Sequence, residues 1–595
     1  MHVVATAGHV DHGKSALVKA LTGAEPDRLA QEQDRGLSIE LGYAWVTLPG
    51  AGQVAFVDVP GHERFISTAL GGFGPVPAVL FVVAADDPFM PQAAEHLAAL
   101  DALGVARGVL AITRSDLADP QPAREQARAQ LVGTSLEHIP DVAVSSRTGA
   151  GLTQLHAALV DMLRALPAPD PQAPVRLWVD RSFTMTGAGP VVTGTLPAGQ
   201  VRPGDHLAGP GGQYRVRGMQ SLGQRIPVAT GVARVALNVV GDQPIERGQV
   251  LLTPDAWHLS ETLDVQVHPS QLTEQHDPPQ RPLLHVGSTV LSTHYRRLGP
   301  GLARLTVSRP LPLRIGDRAL IRDPGTRRLW GVTVLDPAPP PLRRRGAARE
   351  RAGELTGPPA PADPAAQIER RGLVTADLLT RIGVATQPLP AGVVTGGGWL
   401  LSAARAAAAA RAAEKVVAEH AAAAPLDPGL TLAALGERLG LPDAHLTAQI
   451  VPETLPVISG RVYPPGHQGL PPKVQAAVAA LRADLAGAPF AAPTAERLVD
   501  LGLDEQVRGA AVRAGMILQP VPGVVLLAGT DDLAAEQLAD LPQPFTTSEA
   551  RRHLQTSRRV ALALLGHLDR TGRTRRLPDD RRRVTERRAH LSARP

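Results

Sequence analysis

The stretch GHVDHGKS, Gly8 to Ser15, sets a lysine and a hydroxyl behind a glycine-bearing loop. An apolar strand pattern, HVVATAG, runs into it, and a helical pattern, SALVKALTG, runs out of it. This order builds a phosphate cradle. Loop N–H groups point at phosphate oxygens, and the following helix adds its positive end. Gly8, His9, Asp11, His12, Gly13 and Ala16 supply the cradle, Lys14 reaches the β- and γ-phosphates, and Ser15 offers an oxygen to Mg²⁺. Lysine stands only at positions 14, 19, 415 and 473 of an otherwise arginine-rich chain, so the loop keeps a compact ammonium where arginine is the habit.

Three further stretches belong with that loop. In DVPGHE, Asp58 ends an apolar strand and can hold Mg²⁺ through water, Gly61 can turn its N–H towards a γ-phosphate, and His62 falls beside the place of an attacking water. In RGLSIELG, Ser38 can complete the Mg²⁺ shell and tie loop order to nucleotide state. In TRSD, Asp116 can accept from the N1–H and N2–H₂ donors of guanine. Adenine has neither donor, and the unpaired carboxylate would cost about 1–3 kcal/mol. Ser145, Ser146 and Arg147 can close over the base. Taken alone, Asp116 reads equally well as a helix N-cap after a strand.

These residues need a scaffold that delivers several strand ends to one place. From residue 1 to about 172, strands such as VAFVDVP, AVLFVVAADD and GVLAITRSD alternate with helical stretches, the pattern of a doubly wound α/β domain. The texture then changes to short β-branched runs broken by Gly and Pro, which predicts two β-barrels, 173–256 and 257–338. A Pro-, Arg- and Gly-rich stretch, 339–366, reads as a linker. Ala- and Leu-rich amphipathic helices follow. A weak repeat predicts tandem helix-turn-helix modules: two in 367–469, a third in 470–530 and a fourth in 531–595; a single irregular helical domain is the alternative. The 595 residues suit such a multidomain chain.

The last module carries its own chemistry. Thr546 and Glu549 form a capping box, Thr556 or Ser557 caps a second helix, and Val560, Ala561, Leu564, Leu565 and Leu568 line its apolar face. Two short arginine-rich strands around LPDD make a wing. Arg551, Arg552, Arg558, Arg559, Arg575 and Arg576 then form one basic surface fit for RNA phosphates, with a solvated basic tail as the plain alternative.

The nucleotide stretches and the barrels behind them resemble the translational GTPases of the elongation factor Tu kind. Two departures stand out. Thr113-Arg114-x-Asp116 replaces the usual Asn-Lys-x-Asp, and Ser38 replaces the usual Thr. Arg114 can stack its stem on the base as Lys does, but Thr113 cannot make every amide contact, which bears on nucleotide affinity. LWVDRSFTMTGAGPVVTGTL, GVARVALN and the closing basic module are similar to the selenocysteine-specific elongation factors. That resemblance implies winged-helix modules of which the last holds an mRNA hairpin, with GTP and GDP as ligands, Mg²⁺ as cofactor, and selenocysteyl-tRNA, the hairpin and the ribosome as partners. It also places Asp180, Arg181 and Arg234 in a pocket for the selenol; from the residues alone these read as barrel-surface ion pairs. A selenol is ionised at neutral pH, and an arginine about 4 Å from a selenolate gains about 4 kcal/mol at an effective dielectric near 20, before desolvation.

Composition bounds the rest. With no cysteine, disulfides and thiolate metal sites are excluded. The best apolar run, Val76 to Ala85, falls short of the ~20 residues of a membrane span, so a cytoplasmic monomer off the membrane is expected. Two rivals stay open on the residues: an ordinary elongation- or initiation-factor-like GTPase with an unrelated tail, and a nucleic-acid regulator whose nucleotide site has decayed.

Overall fold

Strands that are apolar on both faces must be covered on both faces, and the first domain does this with a six-stranded sheet. Its strands are β1 (His2–Gly8), β2 (Gly42–Leu48), β3 (Gly52–Asp58), β4 (Ala78–Ala84), β5 (Gly108–Thr113) and β6 (Asp141–Ala143), in the order 2-3-1-4-5-6. β2 runs antiparallel to β3, and the other pairings are parallel. All seven residues of β4 are buried: Val79, Phe81 and Val83 enter one core, and Ala78, Leu80 and Val82 the other. The helices are α1 (Lys14–Thr22), α2 (Ile66–Phe73), α3 (Pro91–Leu103), α4 (Pro120–Leu131) and α5 (Leu152–Arg164). This topology brings the carboxyl ends of β1, β3 and β5 side by side, where open α/β sheets bind ligands. The structure, a computed structural model, describes residues 1–26, 40–62, 65–74, 76–87, 89–185, 187, 189–270, 276–326, 328–356, 363–467 and 471–585.

The two β domains close differently. Strands between Arg176 and Leu252 form one eight-stranded sheet and a two-stranded companion around a single core that includes Leu177, Tyr214, Val216 and Leu237. Strands between Leu259 and Asp336 close into a six-stranded barrel. The stretch between them runs from Thr253 to His258.

The expected linker is corrected. Residues 339–366 include a helix, Ala347–Leu355, whose Leu355 packs with Leu298, Leu302 and Leu335 of the closed barrel. Arg351 on this helix is 4% exposed and reaches two buried aspartates of the barrel, Asp264 at 2.7 Å and Asp336 at 2.5 Å. Arg304 grips Asp264 from the other side at 2.7 and 3.0 Å, and Arg371 reaches Asp336 at 2.6 Å. Burial opposes the Asp336 charge, but Arg371 and Arg351 outweigh it and hold its carboxyl below the usual range. Composition hid this helix because one of its arginines, Arg351, serves a buried ion network instead of solvent.

The chain divides into two compact units, residues 1–391 and 392–595. The division falls inside 367–469, so the sequence-based boundary there is also corrected. Within the second unit, three helices and a two-stranded wing recur. The last copy has helices Thr530–Ala539, Thr547–His553 and Arg558–Arg570, and wing strands Thr574–Arg576 and Arg582–Val584. The expected cut at 530/531 passes through a shared core: Phe490, Val524 and Leu526 pack with Ala534, Phe545, Leu564 and Leu565. The Thr556 hydroxyl donates to the Phe490 carbonyl across the same line. Among the described residues no helix is long and apolar enough to cross a membrane.

The ion network yields a prediction. Arg351→Ala leaves Asp264 and Asp336 with one arginine each, so it should destabilise the first unit by about 3 kcal/mol, the low end for breaking a buried ion pair. Urea denaturation checks the loss. Hydrogen exchange over residues 347–355 should rise with it; unchanged protection there would contradict the docked helix.

Candidate functional site

The phosphate loop sits between β1 and α1. Gly8 has φ 135°, and a Cβ there would lie 2.1 Å from the Val82 carbonyl oxygen, so only glycine lets the loop leave the sheet. Lys14 is 6% exposed, and its Nζ donates to the His9 carbonyl at 2.6 Å. The DVPGH turn lies against this loop: a Cβ at Gly61 would come within 2.5 Å of Lys14 Nζ and 2.6 Å of the Val10 nitrogen. Asp58, with 0% exposure, accepts from Thr6 Oγ1 and from Ser15 Oγ, each at 2.6 Å. Burial pushes its carboxyl up, while Lys14 and the two hydroxyls pull it down only in part. Ser15 and Asp58 together offer hard oxygen donors at a buried charge, a set that fits Mg²⁺. Ser38, the other expected ligand, lies outside the described residues. His62 is half-buried, with its ring 6.0 Å from that of Phe65, in the turn that also holds Gly61.

One histidine of the loop and one outside it are packed as neutral bases. His12 is fully buried, with Nε2 3.2 Å from Asp87 Oδ2, and burial, then His9, pushes its pKa down to about 4. His96, on α3, is 1% exposed, and its Nδ1 accepts the Gly8 N–H at 3.1 Å. Burial first, then Lys14 and His9, pushes its pKa down to about 3. Sequence reasoning did not single out His96; the signal it lacked was that His96 sits on the buried face of α3 with Leu97 and Leu100.

The base end is assembled from β5 and the loop after β6. Thr113 Oγ1 donates to the His12 carbonyl at 2.7 Å, so a hydroxyl here ties the base motif to the phosphate loop. Arg114 lies in the left-handed region with φ 55° and reaches Asp86 at 3.2 Å and the Asp11 carbonyl. The Asp116 side chain is 14% exposed and pairs with Arg147 Nε at 3.0 Å. A hydrogen bond from buried Ser145, more than any other group, holds its carboxyl below the usual range, with Arg147 adding to it. Ser146 is half-buried in the same loop.

Asp180, Arg181 and Arg234 converge on one spot, where the first β domain meets β2. Arg234 is 9% exposed and forks onto Asp180, with Nη2 at 2.6 Å from Oδ1; the Thr193 hydroxyl donates to the same oxygen at 2.7 Å. Burial alone would lower the Arg234 pKa, but Asp180 raises it above the ordinary value. Tyr43 of β2 lies beneath both arginines, with its ring centroid 3.9 Å from the Arg234 guanidinium carbon and 5.1 Å from that of Arg181. Arg181 also reaches the Leu41 carbonyl at 2.5 Å and Glu40 at 3.2 Å. Sequence reasoning missed Tyr43, since nothing in GYAWVTL marks its face as shared with another domain.

In the last winged copy, Arg551, Arg552, Arg558, Arg559, Arg575 and Arg576 are all exposed. Arg559 donates to the Gly523 carbonyl at 3.1 Å, and Arg576 pairs with Asp580 across the wing at 2.6 Å. Phe545, the only Phe, Tyr or Trp of this copy, is 1% exposed in the core and is not offered for stacking.

Comparison with known proteins matches residues 1–165 to the elongation factor Tu GTP binding domain family. The chain thus carries a GTP-binding domain of the translational GTPase class. Residues 536–583 match the winged-helix family of elongation factor SelB. The selenocysteine-specific elongation factor of Desulfomicrobium baculatum is 37% identical over 373 residues, covering 58% of each chain. That of Escherichia coli K12 is 36% identical over 356 residues, covering 58% of this chain and 56% of the relative. The matches thus span somewhat over half the length of these curated relatives. A crystal structure of bacterial selenocysteine-specific elongation factor EF-Sec aligns over 98% of this chain and 100% of its own, with TM-score 0.75 and 23% identity, which shows a shared fold.

The buried imidazole of His96 makes stability pH-dependent. Below pH 6.5 the unfolded side chain takes a proton that the folded one refuses until about pH 3, so stability falls as pH drops through that window. The group contributes up to about 1.4 kcal/mol per pH unit. His96→Gln should flatten the slope of urea midpoint against pH between 6.5 and 4.5. An unaltered slope would remove the buried neutral imidazole from the account.

Proposed function

We propose that the chain is a selenocysteine-specific elongation factor, a GTPase that delivers selenocysteyl-tRNA to the ribosome at UGA codons marked by an mRNA hairpin. The observation that carries the reading is the pairing, in one chain, of an elongation factor Tu-type GTP-binding domain at residues 1–165 with a SelB-type winged helix at residues 536–583. Joining the two raises the effective concentration of the charged tRNA at the chosen codon.

In this reading Lys14 leaves the His9 carbonyl for the β- and γ-phosphates, and the Gly61 N–H faces the γ-phosphate. Ser15 and Ser38, with Asp58 through water, would hold Mg²⁺, which would offset the phosphate charge. His62 holds the attacking water. Asp116 selects guanine. Arg181, Arg234 and Tyr43 make the selenol pocket, and an arriving selenolate competes with Asp180 for the Arg234 fork. Arg181 is bound to Glu40 and Leu41, which follow Ser38 closely in sequence, so a change of nucleotide state has a short path to the pocket. The exposed arginines of the last copy hold the hairpin backbone.

The decisive experiment is tRNA choice. With GTP, the protein should protect selenocysteyl-tRNA from ester hydrolysis at least tenfold better than seryl-tRNA on the same tRNA body; equal protection would refute the assignment. For the chemistry, His62→Ala should leave the GTP Kd within about twofold and lower ribosome-stimulated hydrolysis by at least ~100-fold, as for loss of a residue acting in the transition state. Stimulated turnover at the wild-type rate would take His62 out of the reaction.

A further inference from the structure

The guanidinium of Arg147 lies on the carboxylate that the proposed function assigns to guanine. Its Nε stands 3.0 Å from Asp116 Oδ2. A guanidinium and the N1–H/N2–H₂ edge of guanine are alike: both are planar and present adjacent N–H donors that match the two oxygens of a carboxylate. Arg147 is 77% exposed along its side chain, so little packing opposes its swinging away. Asp116 is held in place by the Ser145 hydroxyl, and that loop is in turn fixed by backbone bonds from Ser145 N to Ala150 O and from Gly149 N to Ser145 O, each at 2.9 Å. The carboxylate is therefore a fixed acceptor and the arginine a movable occupant.

We propose that Arg147 is an internal stand-in for guanine: it pairs with the Asp116 carboxylate and must be displaced before the base binds. This rests on the reading of Asp116 as the guanine acceptor. The arginine sets nucleotide affinity by competition, not by contact with the bound base. An exposed ion pair of this kind is populated about one- to fivefold over its broken form. Nucleotide affinity is scaled down by the fraction of molecules with the carboxylate open, so removing the competitor tightens binding about two- to sixfold.

The test uses the full chain and three nucleotides. Arg147→Ala should lower the Kd for GDP about two- to sixfold. It should lower the Kd for inosine diphosphate by the same factor, because the competitor is removed from the free protein whichever base follows. The gain should shrink as salt screens the pair in the parent protein. A Kd for GDP that is unchanged or weaker in Arg147→Ala, or a gain confined to GDP, overturns the proposal. The adenine arm separates the two claims. If the parent protein binds ADP as well as GDP, the guanine role of Asp116 fails; if it prefers GDP and Arg147→Ala gains nothing, only the stand-in role fails.

Discussion

A carboxylate with no exposed surface governs the nucleotide site. Asp58 ends β3 inside the sheet, and its charge is tolerable there only while Thr6, Ser15 and Lys14 face it. The loop, α1 and the DVPGH turn are thereby bound to one another through a single buried charge, and a cation at Ser15 would complete the set. The close contact of Gly61 with Lys14 and Val10 follows from the same constraint, because the turn that carries Asp58 has to lie on the loop that carries Ser15.

Elsewhere the chain solves the buried-charge problem with arginine. The planar fork satisfies two carboxylate oxygens at once, which a lysine cannot. Arg304, Arg351 and Arg371 do this for Asp264 and Asp336, and Arg234 does it for Asp180. The first group fixes the helix at Ala347–Leu355 to the closed barrel, so the segment that leaves the barrels does so along a docked element. The second group lays a buried guanidinium face on Tyr43.

Much of this was legible in the sequence, and the failures have physical causes. The α/β order, the phosphate loop and the β domains could be read because each rests on local periodicity or on residues adjacent in the chain. The final winged copy was readable for the same reason: Thr546, Glu549 and Ser557 are local caps, and all three cap as the sequence implied. The Ala347–Leu355 helix was not readable, because Arg351 looks like a solvent-facing residue until Asp264, 87 positions away, is placed beside it. Tyr43 and His96 were missed likewise, since each acquires its role from a partner distant in sequence. Thr113 was read as a deficit against Asn, yet its hydroxyl reaches the His12 carbonyl, a contact that only the three-dimensional path of the loop provides.

One logic joins the base end and the arginine pocket on the proposed reading. Asp116 is met already paired with Arg147, and Arg234 already paired with Asp180. A ligand has to replace an ionic hydrogen bond, so it must bring matching charge or a matching donor pattern, and shape alone does not suffice. A serine hydroxyl is neutral and cannot displace a carboxylate from a guanidinium fork; a selenolate is an anion and can share it. Adenine has no N–H pair to offer a carboxylate that an arginine already satisfies; guanine does. The pre-paired partners lower the affinity of every ligand that must displace them by one common factor, so selectivity at both sites comes from what each ligand offers the pairing group in return.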